Sequence, residues 1–211
     1  KNNLNVIIFN DKEIPVTPDS IFPNNWISTY QDGSVFIHPM FAENRRLERR
    51  DDIVDFLRKN FSISNIFNEA EFYEKNQKFL EGTGSMVLDR VNRIVYAALS
   101  ERTCYDLIHD FCEKTNFSSI LFTAFQNYNQ EKIIYHTNVM MSICENFAVV
   151  CLDSINDTNE KNKVLDSLIQ TKKEIIPISL EQVNDFCGNI LEVKNTFNEN
   201  LLVMSTKAFN S

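Results

Sequence analysis

Short apolar segments alternate with longer amphipathic segments along the chain, a pattern that predicts strands separated by helices. The first unit contains two strands joined at Gln31-Asp32-Gly33, since Asp-Gly between apolar segments is typical of a tight hairpin. A helix over about 44–58 and a strand near 63–67 follow. Leu4–Phe9, before this unit, is also predicted to be a strand. The predicted unit is strand–turn–strand–helix–strand.

The same order of elements returns twice, and a fourth copy begins near the end of the sequence. Its further strands are predicted at 85–89, 94–97, 119–123, 137–143, 147–152, 174–178, 190–194 and 201–205, with helices over 100–114 and 160–171. The comparable positions Asn25, Gly82, His136 and Gly188 are 57, 54 and 52 residues apart. This period indicates a circular or solenoid array of small α/β blades, and an ordinary α/β sheet with irregular strand order is the alternative.

Charge and hydropathy exclude several classes of protein. The 211 residues carry 21 Lys and Arg against 29 Asp and Glu, a formal net charge of −8. That balance argues against nucleic acid or an anionic membrane as the main partner. No apolar run reaches the length of a transmembrane span, and no secretory signal is evident. We therefore expect a single cytoplasmic domain over residues 1–211.

The cysteines and histidines do not indicate a disulfide framework or a metal site. Five cysteines, an odd number without a C-x-x-C pair, fit a reducing compartment. The three histidines do not fall at zinc-ligand spacing with them. We expect no metal and no cofactor. The sequence leaves open whether the chain forms a homo-oligomer.

Polar side chains stand just before the first strand of every unit. In a ring of equivalent blades they would meet at one end of the central axis. An acid and a histidine walled by apolar strands can position a nitrogen-rich substrate and move a proton. Taken singly, Glu81 fits a surface charge and His136 a half-buried histidine, so their recurrence carries the hypothesis. The set is Asp19, Asn24, Asn25, Glu81, His136, Asn138, Gly188 and Asn189.

Four groups of motifs follow one another along the chain. They are PDSIFPNNW at 18–26 with FAENRRLERR at 41–50, LEGTGS at 80–85 with LDRV at 88–91 and LSERT at 99–103, YHTNVMM at 135–141, and FCGNILE at 186–192. Together they resemble the amidinotransferase, or guanidino-group-modifying, superfamily, in its arginine-deiminase-related branch, which includes citrulline-utilisation hydrolases. The resemblance covers nearly the whole sequence.

The resemblance implies a five-bladed α/β propeller, the pentein fold, with one site on its axis. In catalytic members a cysteine thiolate attacks a guanidinium or ureido carbon, a histidine serves as acid and base, and an acidic residue hydrogen-bonds the substrate nitrogens. Carried to this sequence, Glu81 is the acid and His136 the proton shuttle. Asp19 falls where dimethylarginine-hydrolysing relatives bind substrate.

Two arginines match those that hold the substrate carboxylate in the family. They are Arg102 and Arg46, with Arg45 as the alternative to Arg46. A paired guanidinium–carboxylate contact is strong and geometrically selective. The structural alternative for 45–50 is a solvated helix face with internal ion pairs.

The sequence departs from the family where the substrate nitrogens would bind. Asn25 stands where guanidine-modifying members usually have an acid, Asn24 where they often have one, and Asn138 where deiminases commonly have Asp. An amide is neutral and both donates and accepts, which suits a neutral urea better than a guanidinium. This favours a small-molecule amino-acid substrate such as citrulline, cleaved to ornithine, over arginine.

The nucleophile is not found in its family context. In relatives the cysteine lies in a Gly/Ser-rich segment near the C-terminus, and none of the five cysteines here has that setting. We expect it beyond Ser211, together with the last unit, so this stretch alone would be inactive. Two other functions stay open, a non-catalytic pentein-fold binding module and an amidinotransferase, in which an amine resolves the thiol intermediate. Gly82-Thr83-Gly84-Ser85 lacks the ending of a phosphate loop.

Overall fold

A computed structural model of the protein describes residues 2–127 and 131–211. Within these residues the architecture is mixed α/β, with three sheets of three strands and one of two. The strands are β1 Ile27–Thr29, β2 Ser34–Ile37, β3 Asn65–Asn68, β4 Val87–Asp89, β5 Ile94–Ala98, β6 Ser118–Phe122, β7 Met141–Ile143, β8 Phe147–Val150, β9 Glu174–Pro177, β10 Leu191–Lys194 and β11 Asn200–Val203.

All three-stranded sheets share one pairing scheme. The first two strands are antiparallel and the third runs parallel to the second. The helices are α1 Glu43–Arg46, α2 Asp51–Asn60, α3 Ala70–Lys75, α4 Gly82–Ser85, α5 Tyr105–Thr115, α6 Thr158–Gln170, α7 Leu180–Asn184 and α8 Thr206–Asn210. Since a parallel pair needs a crossover, α2, α5 and α6 connect the second and third strands of their units. The predicted strand–strand–helix–strand order is confirmed in units one to three, and β10–β11 form unit four.

The first hairpin turns at the predicted Asp-Gly. Gly33 has φ +84°, a left-handed conformation that favours glycine, and a Cβ there would lie 2.3 Å from the Ser62 carbonyl oxygen. The Ser34 N–H donates to Asp32 Oδ1 at 2.9 Å. The turn therefore fixes the register in which Ile27 faces Ile37.

Apolar side chains fill the space between neighbouring units. One cluster joins units one and two through Phe36, Met86 and Phe111, and another joins units two and three through Tyr96 and Met140. Trp26 is 2% exposed and lies in a third cluster, within unit one. None of the helices within 2–127 and 131–211 has the length and apolarity needed to span a bilayer.

A short helical turn precedes the first strand of units one to three. These opening turns are the 3-10 turn Pro23–Asn25, helix α4, and the 3-10 turn Thr137–Val139. They replace the start of the strands that the sequence predicted at 85–89 and 137–143. Because each turn precedes its strand, the first strands of units two and three begin later than predicted, at Val87 and Met141.

The predicted strand Leu4–Phe9 is wrong, because residues 2–10 form no strand. The backbone hydrogen bond that ties this segment to the rest of the chain runs from the Thr196 N–H to the Asn3 carbonyl at 2.9 Å. Without a ladder of such bonds, β-propensity alone does not make a strand.

Two predicted helices are also shorter than expected. The helix over 44–58 is divided into α1 and α2, and the break lies beside a buried ion pair between Arg45 and Glu48. The solvated helix face, the structural alternative for 45–50, is therefore partly buried, at Arg45 and Glu48. The helix expected from Ser100 begins at Tyr105, because Ser100 and Thr103 exchange backbone hydrogen bonds in a turn.

Candidate active site

The opening turns of units one to three lie side by side and bring their polar residues together. The Thr83 hydroxyl of α4 donates to the Asn24 carbonyl at 3.4 Å. From the third unit, Thr137 Oγ1 donates to the Ser85 carbonyl at 2.5 Å and accepts from the Ala98 N–H at 2.8 Å. These hydrogen bonds hold each opening turn against the next, so polar residues from three units lie close together.

At this junction Glu81 and His136 form a buried pair. His136 Nε2 lies 2.5 Å from Glu81 Oε2, and Glu81 is fully buried. The other carboxylate oxygen, Oε1, accepts from the Phe41 N–H at 2.9 Å. Arg102 Nη1 lies 3.6 Å from Oε2. Both oxygens of Glu81 are therefore occupied by groups of the protein.

The surroundings of Glu81 keep its carboxylate ionised. Burial alone would raise the pKa of Glu81, but the hydrogen bond and charge of His136, the Phe41 N–H and the charge of Arg102 hold it below the usual value. An ionised carboxylate only accepts hydrogen bonds, so Nε2 of His136 carries a proton. Nδ1 is then the ring nitrogen left for proton transfer.

The backbone of Glu81 is held as firmly as its side chain. Its N–H meets Ser85 Oγ at 3.0 Å and the Arg102 carbonyl at 3.3 Å, and Ser85 Oγ donates to that same carbonyl at 2.8 Å. Gly82 follows with φ +45°, and a Cβ there would lie 2.2 Å from the Asn24 carbonyl oxygen. A glycine is needed because the turn touches unit one directly.

Asn25 lies on the Nδ1 side of the imidazole. A Cβ placed on Gly84 would be 2.6 Å from Asn25 Oδ1 and 3.2 Å from His136 Nδ1, so all three groups border one small space. The Asn24 side chain donates to Asn25 Oδ1 at 3.0 Å. The structure thus brings Asn24 and Asn25 to the Glu81–His136 pair.

Arg102 reaches the pair from the turn before α5. Its guanidinium carbon lies 4.4 Å from the centre of the Tyr135 ring and 5.6 Å from that of Phe41. Its Nε is buried without a hydrogen-bond partner among the described residues. The side chain is 23% exposed, so part of the guanidinium faces solvent beside the pair.

Arg46 and Arg45 are engaged by other groups. Arg46 donates from Nε to the Met40 carbonyl at 3.0 Å and from Nη2 to the Phe41 carbonyl at 3.1 Å. Arg45 is buried, with Nε and Nη2 on the Glu48 carboxylate at 2.8 and 2.9 Å. Arg46 therefore braces the segment whose Phe41 N–H binds Glu81, and neither arginine is a free counterpart of Arg102.

The structure does not bring Asp19 and Asn138 into hydrogen-bond contact with the pair. The Asp19 carbonyl accepts from Arg45 Nη2 at 3.3 Å, and its half-buried carboxylate makes no hydrogen bond with the described residues. The Asn138 carbonyl accepts from Asn189 Nδ2 at 3.2 Å. Asn138 thus links the third unit to the start of the fourth.

Sequence reasoning missed several residues that build the site. Ser85 and Thr137 hold the opening turns, Phe41 supplies a backbone donor, and Tyr135 contacts both Arg102 and His136. Tyr135 and Ser85 stand inside the recurring motifs, next to residues that were singled out. Their position next to those residues was the signal that could have identified them. Their hydroxyl and aromatic contacts, however, depend on how the units pack against one another.

The cysteines of the described residues are not hydrogen-bonded to the Glu81–His136 pair. None forms a hydrogen bond with Glu81 or His136 in the part of the chain that the structure describes, and Cys144, Cys151 and Cys187 are buried. Burial raises the pKa of Cys144 to about 11 and also raises that of Cys112. A thiol with a raised pKa is a poor nucleophile near neutral pH. Residues 2–127 and 131–211 hold no cluster of three potential metal ligands.

A sequence model of the eukaryotic N,N dimethylarginine dimethylhydrolase family matches residues 1–211. The chain belongs to this family. The assignment confirms the guanidino-group-modifying, or pentein, superfamily that the four groups of motifs predict. No curated protein sequence gives a significant match.

Solved structures share the fold of this dimethylarginine dimethylhydrolase family member. The substrate-bound N-terminal domain of a mutant of ArgZ, an arginine dihydrolase from the ornithine-ammonia cycle in cyanobacteria, has TM-score 0.64 and 16% identity, covering 92% of this chain and 65% of that one. An AgrE mutant with L-arginine has TM-score 0.63 and 17% identity, covering 84% and 24%. A dimethylarginine dimethylaminohydrolase adduct with S-methyl-L-thiocitrulline has TM-score 0.55 and 16% identity, covering 82% and 58%. The chain spans less than two thirds of the length of each.

Proposed function

We propose that the protein hydrolyses a C–N bond of a guanidino or ureido amino acid at the Glu81–His136 pair. The observation that carries the proposal is the 2.5 Å contact between these buried side chains, with Arg102 beside them. Membership in a family described by dimethylarginine hydrolysis supports the reaction class. The similar solved proteins include an arginine dihydrolase and a dimethylarginine hydrolase.

In the proposed mechanism a cysteine gives its thiol proton to His136 Nδ1, and the resulting thiolate attacks the guanidinium or ureido carbon. The C–S bond forms and the C–N bond breaks, while His136 Nδ1 gives its proton to the departing amine. His136 then takes a proton from water, which attacks the same carbon and releases the thiol. Glu81 keeps Nε2 protonated and stabilises the imidazolium. Since no cysteine of the described residues is hydrogen-bonded to the pair, we propose that the nucleophile follows residue 211 in the full-length protein.

Within this reaction class we propose a ureido substrate such as citrulline in preference to arginine. The neutral amide of Asn25 borders the space beside Nδ1, the Asn24 amide donates to Asn25, and both oxygens of Glu81 are already occupied. Neutral groups that donate and accept match a urea, whereas a guanidinium favours carboxylates. The family match favours a second candidate, a methylated guanidino group. Higher kcat/KM for arginine or dimethylarginine than for citrulline would overturn the ureido preference alone.

The reaction class is tested on the full-length protein with a pair of matched histidine variants. His136→Asn should lower kcat about 10³-fold, the range of a lost general acid–base group. His109→Asn is the control, because His109 is exposed on the surface of α5, with Nδ1 3.7 Å from Glu113 Oε1. We expect the control to stay within about twofold of wild type, since surface changes of this kind are nearly neutral. Unchanged turnover in His136→Asn would contradict the proposal, and no turnover in any full-length form would favour a binding module.

We further propose that the complete protein is a five-bladed α/β propeller in which residues 1–211 belong to one catalytic domain. The support is the shared pairing scheme of three units and the side-by-side packing of their opening turns. Equivalent units docked through equivalent turns form a ring when the rotation between them closes. A structure of the full-length protein with other than five units would contradict this.

A further inference from the structure

Tyr135 joins the two charged parts of the candidate active site. Its ring lies 4.4 Å from the Arg102 guanidinium carbon. The same ring meets the His136 imidazole at 4.9 Å between centres, with 61° between planes. The Tyr135 carbonyl accepts from Ser100 Oγ at 2.9 Å, on the turn that bears Arg102. Side chain and backbone of Tyr135 therefore both contact that turn or its arginine.

Among residues 2–127 and 131–211, no hydrogen-bonded partner fixes the Arg102 guanidinium. Its Nε is buried without an acceptor among residues 2–127 and 131–211, and its ion pair with Glu81 is long, at 3.6 Å. By contrast, Arg45 is bound by Glu48, and Arg46 by two carbonyls. Besides Glu81, the rings of Tyr135 and Phe41 lie against the Arg102 guanidinium, and a guanidinium is attracted to the face of an aromatic ring.

We propose that Tyr135 is a positioning residue whose ring, rather than its hydroxyl, holds the Arg102 guanidinium toward the α-carboxylate of the substrate. The inference rests on the proposed function for its catalytic consequence. Tyr135 is 38% exposed and its ring contacts the imidazole, so we place it in the wall of the approach to His136. Tyr135 thereby selects amino-acid substrates over amines that carry the same reacting group.

The kinetic test compares Tyr135→Leu with Tyr135→Phe in the full-length protein. It uses citrulline, arginine and dimethylarginine, together with the decarboxylated amine of each. Tyr135→Leu should raise KM for the amino acid about tenfold, the effect of losing one cation–π contact near a charge pair. KM for the amine should stay within about twofold, because the amine has no carboxylate for Arg102. Tyr135→Phe should stay close to wild type, since it keeps the ring.

The control is Tyr105→Leu, which removes an exposed tyrosine at the start of α5. Equal KM values in wild type and Tyr135→Leu would overturn the proposal. Tyr135→Phe behaving like Tyr135→Leu would assign the role to the hydroxyl and would also overturn it. An equal rise in KM for the amino acid and the amine would show a general loss of binding and have the same effect.

A second measurement does not depend on turnover. The Arg102 Nε–H signal in a ¹H–¹⁵N NMR spectrum, assigned by its loss in Arg102→Lys, should carry a ring-current shift from Tyr135. The shift should persist in Tyr135→Phe and disappear in Tyr135→Leu. If no substrate turns over but the signal behaves in this way, the proposed function fails while the positioning of Arg102 stands. A signal unmoved by Tyr135→Leu overturns the inference whatever the kinetics show.

Discussion

At the scale of single residues, Glu81 illustrates how contacts change an expected role. The resemblance implied that Glu81 hydrogen-bonds the substrate nitrogens. In the structure, however, its carboxylate oxygens contact His136, Arg102 and the Phe41 N–H. A carboxylate used in this way fixes the histidine tautomer. Its effect on a substrate then passes through the imidazole.

Gly84 leaves the space that Asn25 and His136 share, so filling it should disturb both. A Cβ at Gly84 would lie 2.6 Å from Asn25 Oδ1. In the full-length protein we expect Gly84→Ala to lower kcat/KM about 10²-fold, since small misplacements of catalytic groups have effects of this size. Thr83→Ala, one residue away, removes only a 3.4 Å hydrogen bond and serves as the control. A fully active Gly84→Ala variant would show that the space has no role.

His38 should make the stability of the fold depend on pH. It is buried, with Nε2 2.7 Å from Ser28 Oγ, and burial lowers its pKa from 6.5 to about 3. Between these values the unfolded chain binds a proton that the folded chain does not, so stability falls as the pH falls through this window. The slope from this group is at most about 1.4 kcal/mol per pH unit.

Urea unfolding at several pH values between these limits measures the effect of His38. His38→Gln should flatten the pH dependence relative to wild type, whereas His109→Gln, at an exposed position, should leave it unchanged. An equally steep dependence in His38→Gln would assign the loss of stability to the carboxylates alone.

The sequence predicted much of the site at this scale because the relevant residues recur at one phase of the repeat. Glu81, His136 and Asn25 meet as that phase implies, and Arg102, which the family resemblance implied, lies beside them. Arg46 differs, since nothing in its motif shows that two backbone carbonyls lie within its reach. Such contacts with backbone atoms depend on how the segments pack together, and the local sequence pattern does not indicate them.

At the scale of elements, the period of the hydrophobic pattern located the strands and crossover helices to within a few residues. Central strands such as β5 were clear because they are apolar throughout and fully buried at Val95–Ala98. Short helices such as α3 and α7 were missed, since five or six residues are too few to show a helical period. Leu4–Phe9 shows the opposite error, a good strand pattern without a partner strand.

Lys173 connects the second and third units through a buried charge. It lies 3.4 Å from Asp89 Oδ2 and donates to the Cys144 and Glu145 carbonyls. Removing one partner of a buried pair leaves the other uncompensated, so Lys173→Met should lower the free energy of unfolding by about 3 kcal/mol. Lys194→Met is the matched control, because Lys194 forms an exposed pair with Glu145 and such pairs contribute less than about 1 kcal/mol.

Urea denaturation of the two lysine variants provides the comparison. The midpoint for Lys173→Met should shift clearly to lower urea, whereas that for Lys194→Met should stay near wild type. Similar midpoints for both variants would show that the Lys173–Asp89 pair does not stabilise the contact between units.

At the scale of the whole molecule, the units differ in how well they are covered. The central strand of unit two is buried between neighbours, whereas β10 and β11 of unit four are largely exposed, with Leu191 61% and Val203 48% accessible. Few buried contacts imply a low free energy of local opening. The molecule should therefore be least protected at unit four.

Hydrogen–deuterium exchange of the chain as given tests this gradient. Amides of 191–203 should exchange at least about tenfold faster than those of β5, because local opening precedes exchange. β8 serves as an internal control, since it is the buried central strand of unit three and should exchange slowly like β5. Equal protection in unit four and β5 would show that exposure does not set the order of opening.

The docking of Thr137 on Ser85 also has a consequence for how the chain acquires its structure. Glu81 and His136 are 55 positions apart and belong to different units, so the carboxylate becomes fully enclosed by its partner only when the third unit settles on the second. During synthesis the third unit must therefore leave the ribosome and pack on the second before this pair can form. Formation of the Glu81–His136 pair therefore follows the packing of the third unit on the second. In a chain that stops before the third unit, the Glu81 carboxylate would stay in contact with water and would have no histidine partner.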